Sequence, residues 1–255
     1  MDSGSVRREL HVRWAVGFHR ALVAVIGLGA SPMVTGRYAD GVERPPNHLA
    51  IQLLAPGLPS DHLRERTTTA AALLIPDGAA PEDLETLDQA LADLRRSSIR
   101  GPGGRQLRVV GRRLVSADDF WSPGVVGDPQ RWRTDTMAVP DLRPPRGRPW
   151  TFGDAALLAV GLTWRDHLGG PGRGQAWLDG LRAAAADAGA RVLTARRVLR
   201  SDLQHQAHRV HRHAVLSAYR AELELGTLAG SRSLVAIGQT RHLGGGLLVP
   251  AEGQP

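Results

Sequence analysis

Apolar residues recur at intervals of three and four along the N-terminal region, which is the spacing of one face of an α-helix. We predict a helix here that ends at Gly27 and Gly29 and carries His19 on its apolar face. A second helix is predicted over 81–96, where Pro81 and two acidic residues open the first turn. The apolar positions of the first helix are Val12, Ala15, Val16, His19, Leu22, Val23 and Ile26.

Short apolar runs bounded by turn residues predict strands. The predicted strands are 48–55, 67–76, 106–115, 131–139, 191–199, 215–225, 234–238 and 247–250, and two more helices are predicted at 153–167 and 175–188. Strands and helices interleave in two halves, separated by a Pro/Arg-rich segment at 140–149. This order predicts an α+β protein with helices on one face of each antiparallel sheet, of the split βαβ kind. We divide the chain into an N-terminal helix and loop (1–47), a first domain (48–145) and a second domain (146–255).

Positive charge is concentrated in two stretches of the chain. All 32 basic residues are arginine, and with 25 acidic residues the formal net charge is +7. Residues 93–113 hold seven arginines and one acid, and residues 191–220 hold seven arginines, four histidines and one acid. Such segregation favours a polyanionic partner, nucleic acid above all, although a solvated charged face is the alternative.

Composition excludes several classes of protein. The chain has no cysteine, so disulfides, thiolate metal sites and a cysteine nucleophile are excluded. The longest apolar run, 21–30, has about half the ~20 residues of a membrane span, and the first residues lack the pattern of a secretory signal. We therefore expect a soluble, cytoplasmic protein that does not bind a membrane.

A glycine-rich segment, 238–246, lies between the last two predicted strands. Gly244, Gly245 and Gly246 would let backbone approach a ligand closely, with N–H groups free for phosphate oxygens, and Arg241 and His242 would add charge. It is not a Walker loop, because no Gly-Lys-Ser/Thr follows, and it is not a dinucleotide fingerprint, because no helix follows. A flexible hairpin turn is the alternative.

Several of these motifs resemble a known family. Gly238 followed by Gly244-x-Gly246 is similar to the C-terminal glycine-rich signature of the repeat-associated mysterious protein superfamily of CRISPR systems. The segments LHVRWAVGFHRALVAV, VTGRYADG and RPPNHLAIQLLAP resemble the repeat-cleaving endoribonucleases of the Cas-six family, in particular the nuclease half of a fused type I-U/I-G subunit. The similarity runs from about residue 12 to 250 and is densest at 34–56 and 238–250.

This resemblance implies tandem ferredoxin-like (RRM-like) domains and cleavage of precursor CRISPR RNA within its repeats, without a metal or other cofactor. A 2′-hydroxyl would attack the adjacent phosphate, which requires a base, an acid and cations. His48 corresponds to the family's strand-initial histidine and is our first candidate for proton transfer, with His19 as the second. Arg37 and Tyr38 are candidates for steadying the phosphate and the nucleophile. A capping or core histidine is the alternative for His48, and a satisfied core histidine is the alternative for His19.

The arginines before the glycine-rich segment are predicted to hold the RNA, together with the segment itself. These RNA-binding candidates are Arg196, Arg197, Arg200, Arg209, Arg212, Arg241, His242, Gly244, Gly245 and Gly246. The expected partners are CRISPR repeat RNA and other subunits of a type I interference complex.

Two other functions stay open from the sequence. A non-catalytic RNA-binding subunit would share the fold and the basic face. A metal-dependent hydrolase would use His205, His208, His211 and His213, but at helical spacing these side chains do not share a face, so we predict no metal site.

Overall fold

The computed structural model describes residues 5–64, 66–123, 130–143, 147, 149–199 and 217–251. Its helices are α1 (His11–Ile26), α2 (Pro32–Thr35), α3 (Pro81–Leu94), α4 (Phe152–Thr163), α5 (Arg165–Leu168) and α6 (Gln175–Asp187). Its strands are β1 (Ala50–Leu54), β2 (Ala70–Leu74), β3 (Ile99–Arg100), β4 (Gln106–Leu107), β5 (Arg131–Thr134), β6 (Ala190–Arg197), β7 (Tyr219–Leu225), β8 (Val235–Ala236) and β9 (Leu247–Pro250). The strands of each sheet pair antiparallel, which confirms the predicted α+β class.

Helix α1 is the centre of the N-terminal half, where it packs against α3 and β1. Its buried face is rotated from the predicted one and is centred on its large aromatic side chains, Trp14 and Phe18, with Ala15 and Leu22. Aromatic rings bury more apolar area than valine, so they decide which face turns inward. His19 therefore lies at the margin of the helix interface, half-buried, and not on the apolar face as predicted.

The continuous helical stretch Arg8–Gly29 is long and apolar enough to cross a membrane when length and composition alone are considered. Its inner face carries core residues of the N-terminal half. The same length and composition are found in core helices.

The C-terminal half contains a five-stranded sheet in the order β6-β7-β5-β9-β8. Strands β5, β6, β7 and β9 thus have the order of a ferredoxin-like split βαβ unit, and α4 packs on β6 and β7 as its first crossover helix. Between β7 and β9, the described residues 226–246 hold β8, a 3₁₀ turn and the glycine-rich segment in place of a second crossover helix. The sheet buries Trp132, Tyr219 and Leu223 against its helices.

The structure differs from the predicted elements at several places: the predicted strand 131–139 ends at Thr134, and α2 and β3 were not predicted. The predicted strand 106–115 is wrong beyond residue 107, because residues 108–115 have no partner strand and mostly face solvent. The predicted helix 153–167 is interrupted at Trp164, whose backbone leaves helical geometry between α4 and α5. The domain boundaries at 47 and 145 stay predictions, although α1 packs on β1 and β5 belongs to the C-terminal sheet.

Candidate functional site

The glycine-rich segment joins the two halves of the molecule by lying along β1. Leu243 forms a parallel bridge with Ile51, and the Ile51 N–H donates to the His242 carbonyl at 3.1 Å. The buried Gln52 amide donates to the Arg241 carbonyl at 2.6 Å. The segment therefore meets β1 through one parallel bridge, and it brings Arg241 and His242 next to the residues that precede β1.

The three consecutive glycines are buried and serve close packing. A Cβ on Gly244 would lie 2.7 Å from the Ala15 Cβ of α1, and one on Gly246 would lie 1.8 Å from the Ile237 carbonyl oxygen. The Gly245 N–H donates to the Thr240 carbonyl and the Gly246 N–H to the Met137 carbonyl, each at 3.0 Å. The expectation that these N–H groups are free for phosphate is therefore wrong for Gly245 and Gly246.

Arg241 is an interior side chain with 9% exposure. Its guanidinium contacts Asp141 Oδ1 at 3.2 Å and donates to Asn47 Oδ1 at 3.1 Å. It also donates to the Gly238 carbonyl at 3.1 Å and the Pro46 carbonyl at 2.5 Å. A guanidinium that is buried and bonded in this way fastens the loop before β1 to the glycine-rich segment, so it is not displayed for RNA as predicted.

His48 and His242 form a stacked pair of imidazoles. Their ring centroids lie 3.5 Å apart with an interplanar angle of 18°. Nδ1 of His242 lies 3.1 Å from the His48 carbonyl oxygen. A carbonyl can only accept a hydrogen bond, so Nδ1 carries the proton in the neutral ring and Nε2 carries the lone pair. Both rings are half-buried.

Two further elements position His48. The backbone N–H of Leu49 donates to the Met33 carbonyl of α2 at 2.9 Å, which fixes the chain beside that helix. Gly36 ends α2 in the left-handed region with φ 65°, and a Cβ there would lie 2.7 Å from Nε2 of His48. A side chain at residue 36 would therefore displace the imidazole.

Burial and neighbouring cations keep both imidazoles neutral. Burial, then the charges of Arg241 and His19, lower the pKa of His48 to about 4. Burial, then the charges of Arg241 and His48, lower the pKa of His242 to about 2. His19 lies near enough to act on His48, and its Nε2 lies 2.9 Å from the Val34 carbonyl oxygen. The structure thus brings His19, His48 and His242 into one site.

Arg37 and Tyr38 follow Gly36 directly. Arg37 is exposed, and its backbone N–H donates to the Thr35 hydroxyl at 3.3 Å. Tyr38 is half-buried, and burial and the carboxylate of Asp83 raise its pKa. Arg37 therefore presents a solvent-facing cation next to the glycine that supports His48, whereas Tyr38 is within electrostatic reach of the first turn of α3.

The β6 arginines lie apart from the histidines on the C-terminal sheet. Arg196 and Arg197 are both exposed, and they point to opposite faces because successive strand residues alternate. Arg196 pairs with Arg220 on the face that also carries Arg131 and Arg133, whereas Arg197 pairs with the buried Tyr219. The other candidates of this stretch, Arg200, Arg209, Arg212, His205, His208, His211 and His213, lie outside the described residues.

Two features of the site were not found by sequence reasoning. The stacking of His242 on His48 joins residues 194 positions apart, so no local pattern reports it. Asn47 and Asp141 were not predicted as partners of Arg241, although Asn47 is adjacent to the predicted His48. Among the described residues, no group of three or more histidine, aspartate or glutamate side chains is placed to hold a metal ion.

Comparisons with known proteins were made on sequence and on structure. No family model matches the chain, and no curated protein matches it. The Cas6 (TTHB231) product complex is 17% identical with a TM-score of 0.47, over 95% of this chain and 93% of that chain. The Cas6 (TTHA0078) product complex is 16% identical with a TM-score of 0.46, over 93% of this chain and 92% of that chain.

Proposed function

We propose that the protein is a metal-independent endoribonuclease that cleaves precursor CRISPR RNA within its repeats. The observation that carries this proposal is His48, a half-buried imidazole kept neutral at pH 7 beside a second and a third histidine. Neutral imidazoles suit proton transfer, and transesterification at a 2′-hydroxyl needs proton transfer at two oxygens. The sequence resemblance described above agrees with this chemistry.

In the proposed reaction the 2′-oxygen attacks the adjacent phosphorus and loses its proton to the site. The bond from phosphorus to the 5′-oxygen breaks, and that oxygen receives a proton. The products are a 2′,3′-cyclic phosphate and a 5′-hydroxyl, so proton number is conserved and no metal is needed. His48 moves one of these protons, and the exposed guanidinium of Arg37 stabilises charge that develops on the phosphate.

The RNA beyond the cleaved bond would lie against exposed arginines. Arg131, Arg133 and Arg196 share one face of the C-terminal sheet, and Arg220 lies directly opposite Arg196. This face also carries Glu224 and Glu222 opposite Arg131 and Arg133, and the half-buried Arg220 donates to the Thr134 and Asp135 carbonyls. Arg196 has no carboxylate directly opposite it, so it is the better candidate for a phosphate contact. The only aromatic residues of β5 and β7, Trp132 and Tyr219, are buried on the other face, so this surface would bind phosphates without stacking bases.

The test is cleavage of a repeat transcript, taken from a CRISPR array of the source genome, in buffer containing EDTA. We expect cleavage at one phosphodiester, a cyclic phosphate product and no cleavage when the attacking nucleotide carries 2′-deoxyribose. His48→Asn should reduce the rate by about 10²–10⁴-fold. His62→Asn, a change at another half-buried histidine, is the matched control and should cleave like wild type.

Two outcomes would contradict the proposal. Cleavage that requires a divalent metal would indicate a metal-dependent hydrolase. Tight binding of the transcript without cleavage would indicate a non-catalytic RNA-binding subunit of an interference complex. Full activity of His48→Asn would exclude His48 while leaving the ribonuclease activity in place.

A further inference from the structure

The proton of His242 is fixed by the fold. Its Nδ1 faces the His48 carbonyl oxygen at 3.1 Å, so the neutral ring keeps its lone pair on Nε2. The same backbone oxygen holds the ring in its orientation. A ring whose Nδ1–H is held by an acceptor and whose Nε2 is unprotonated has the tautomer that a histidine base requires.

The stacked pair accommodates one added proton but not two. Its ring centroids are 3.5 Å apart, and two imidazolium cations at this distance would repel each other strongly. The buried Arg241 guanidinium adds a positive charge that acts on both rings. The loaded site would therefore hold one neutral and one protonated imidazole, which are the base and the acid of a transesterification.

The surroundings decide which ring takes the proton. Burial disfavours the cation of His242 most, Arg241 and His48 disfavour it further, and the hydrogen bond to the His48 carbonyl favours it. Burial and the Arg241 guanidinium lower the pKa of both rings, so neither is protonated without a nearby anion. RNA phosphate raises the pKa of a nearby imidazole. Because the His48 carbonyl holds His242 in the tautomer of a base, we assign the added proton to His48.

We propose that His242 is the general base for the attacking 2′-hydroxyl and His48 the general acid for the leaving 5′-oxygen. Nε2 of His242 takes the 2′-hydroxyl proton while the 2′-oxygen bonds to phosphorus. His48 gives its proton to the 5′-oxygen as the bond from phosphorus to that oxygen breaks. One proton enters the pair and one leaves it, and transfer between the rings through solvent restores the starting state. This assignment rests on the proposed function and replaces the predicted RNA-binding role of His242.

The experiment compares two leaving groups. One substrate is the repeat transcript, and the other carries sulfur in place of the bridging 5′-oxygen at the cleaved bond. A thiolate leaves without a proton, so loss of the acid is rescued by sulfur and loss of the base is not. The variants are His242→Asn, whose amide can still donate to the His48 carbonyl but has no basic nitrogen, and His48→Asn.

We expect His242→Asn to cleave both substrates about 10²–10⁴-fold more slowly than wild type. We expect His48→Asn to be slow on the oxygen substrate and within about tenfold of wild type on the sulfur substrate. Binding of the 2′-deoxy transcript should differ less than threefold between His242→Asn and wild type, which separates loss of chemistry from misfolding.

The outcomes distinguish this inference from the proposed function. If wild type cleaves neither substrate, the proposed function is wrong and the inference with it. If wild type cleaves both and His242→Asn is as fast as wild type, the inference alone is wrong. Rescue of His242→Asn by sulfur would reverse the two roles. Equal loss of binding and of cleavage in His242→Asn would make His242 a structural or binding residue and overturn the assignment.

Discussion

The glycine-rich segment and strand β6 are both arginine-bearing regions that the sequence predicts to bind RNA, yet they are built differently. In the segment, Arg241 is buried and bonded to Asp141 and Asn47. In β6, Arg196 and Arg197 are exposed. The same residue type therefore fastens two halves of the protein in one region and is free to meet a ligand in the other, and charge counting cannot separate these roles.

Removing the buried guanidinium should have the largest effect on stability. Arg241→Met leaves the Asp141 carboxylate buried without its cation, which should lower the free energy of unfolding by about 4 kcal/mol. Arg197→Met, at an exposed position of β6, should change it by less than about 0.5 kcal/mol. Urea unfolding measures both. The double variant Arg241→Met, Asp141→Leu should recover part of the lost stability. If Arg241→Met and Arg197→Met are equally stable, Arg241 does not stabilise the fold more than an exposed arginine does.

Substitution of a closely packed glycine should have the next largest effect on the free energy of unfolding. Gly246 and Gly170 have nearly the same φ, 66° and 67°, but a Cβ on Gly246 would lie 1.8 Å from a carbonyl oxygen, whereas a Cβ on Gly170 meets nothing within 4 Å. Gly246→Ala should lower the free energy of unfolding by about 3 kcal/mol, from strain and overpacking together. Gly170→Ala should cost about 1 kcal/mol from strain alone. Urea unfolding measures both variants, and equal losses of unfolding free energy would show that the glycine-rich segment accommodates a side chain at residue 246.

Acid should destabilise the protein through the histidine pair. The folded pKa values of His48 and His242, about 4 and about 2, lie below the value of about 6.5 for an unfolded chain. Between pH 6.5 and 4 the unfolded chain therefore binds more protons at these residues, and the free energy of unfolding falls as pH falls. Burial raises the pKa of Asp141 to about 6, so this residue acts in the opposite direction over the same range.

His242→Asn removes one of the two histidines and leaves Asp141 in place. The pH dependence of the free energy of unfolding between pH 4.5 and 6 should then decrease by about 1.4 kcal/mol per pH unit, the value for one proton. Urea unfolding at several pH values measures it. An unchanged dependence would mean that His242 binds a proton in the folded protein as readily as in the unfolded chain.

The exposed arginines should affect binding more than stability. Arg196 shares its sheet face with Arg131, Arg133 and Arg220, whereas Arg197 lies on the other face. Arg196→Ala should weaken binding of the repeat transcript and reduce the slope of log K against log salt by about 0.7, the value for one lost phosphate contact on a single strand. Arg197→Ala is the matched control and should change the slope less. Equal effects would show that the RNA does not follow one face of the sheet.

Local pattern was enough to predict most of the secondary structure. Some elements depend only on neighbouring residues, so they can be predicted from a single sequence. These are the periodicity of α1, the proline at the start of α3 and the apolar runs of β1, β2 and β9. The buried face of α1 could not be predicted in this way, because Trp14 and Phe18 are buried in its place and His19 lies at the margin. The strand predicted at 106–115 failed because a strand needs a partner, and partners are set by topology.

The sequence by itself determined the α+β class, the segregated arginines, the absence of cysteine chemistry and the choice of His48 as a candidate. Only the tertiary structure decided what each candidate contacts. It brought His242 onto His48 across 194 positions, buried Arg241 and the glycines, and left the β6 arginines in solvent. The physical reason is that helix and strand formation depend on residues a few positions apart. Burial, ring stacking and pKa depend on which distant segments pack together, and this is set by the whole core.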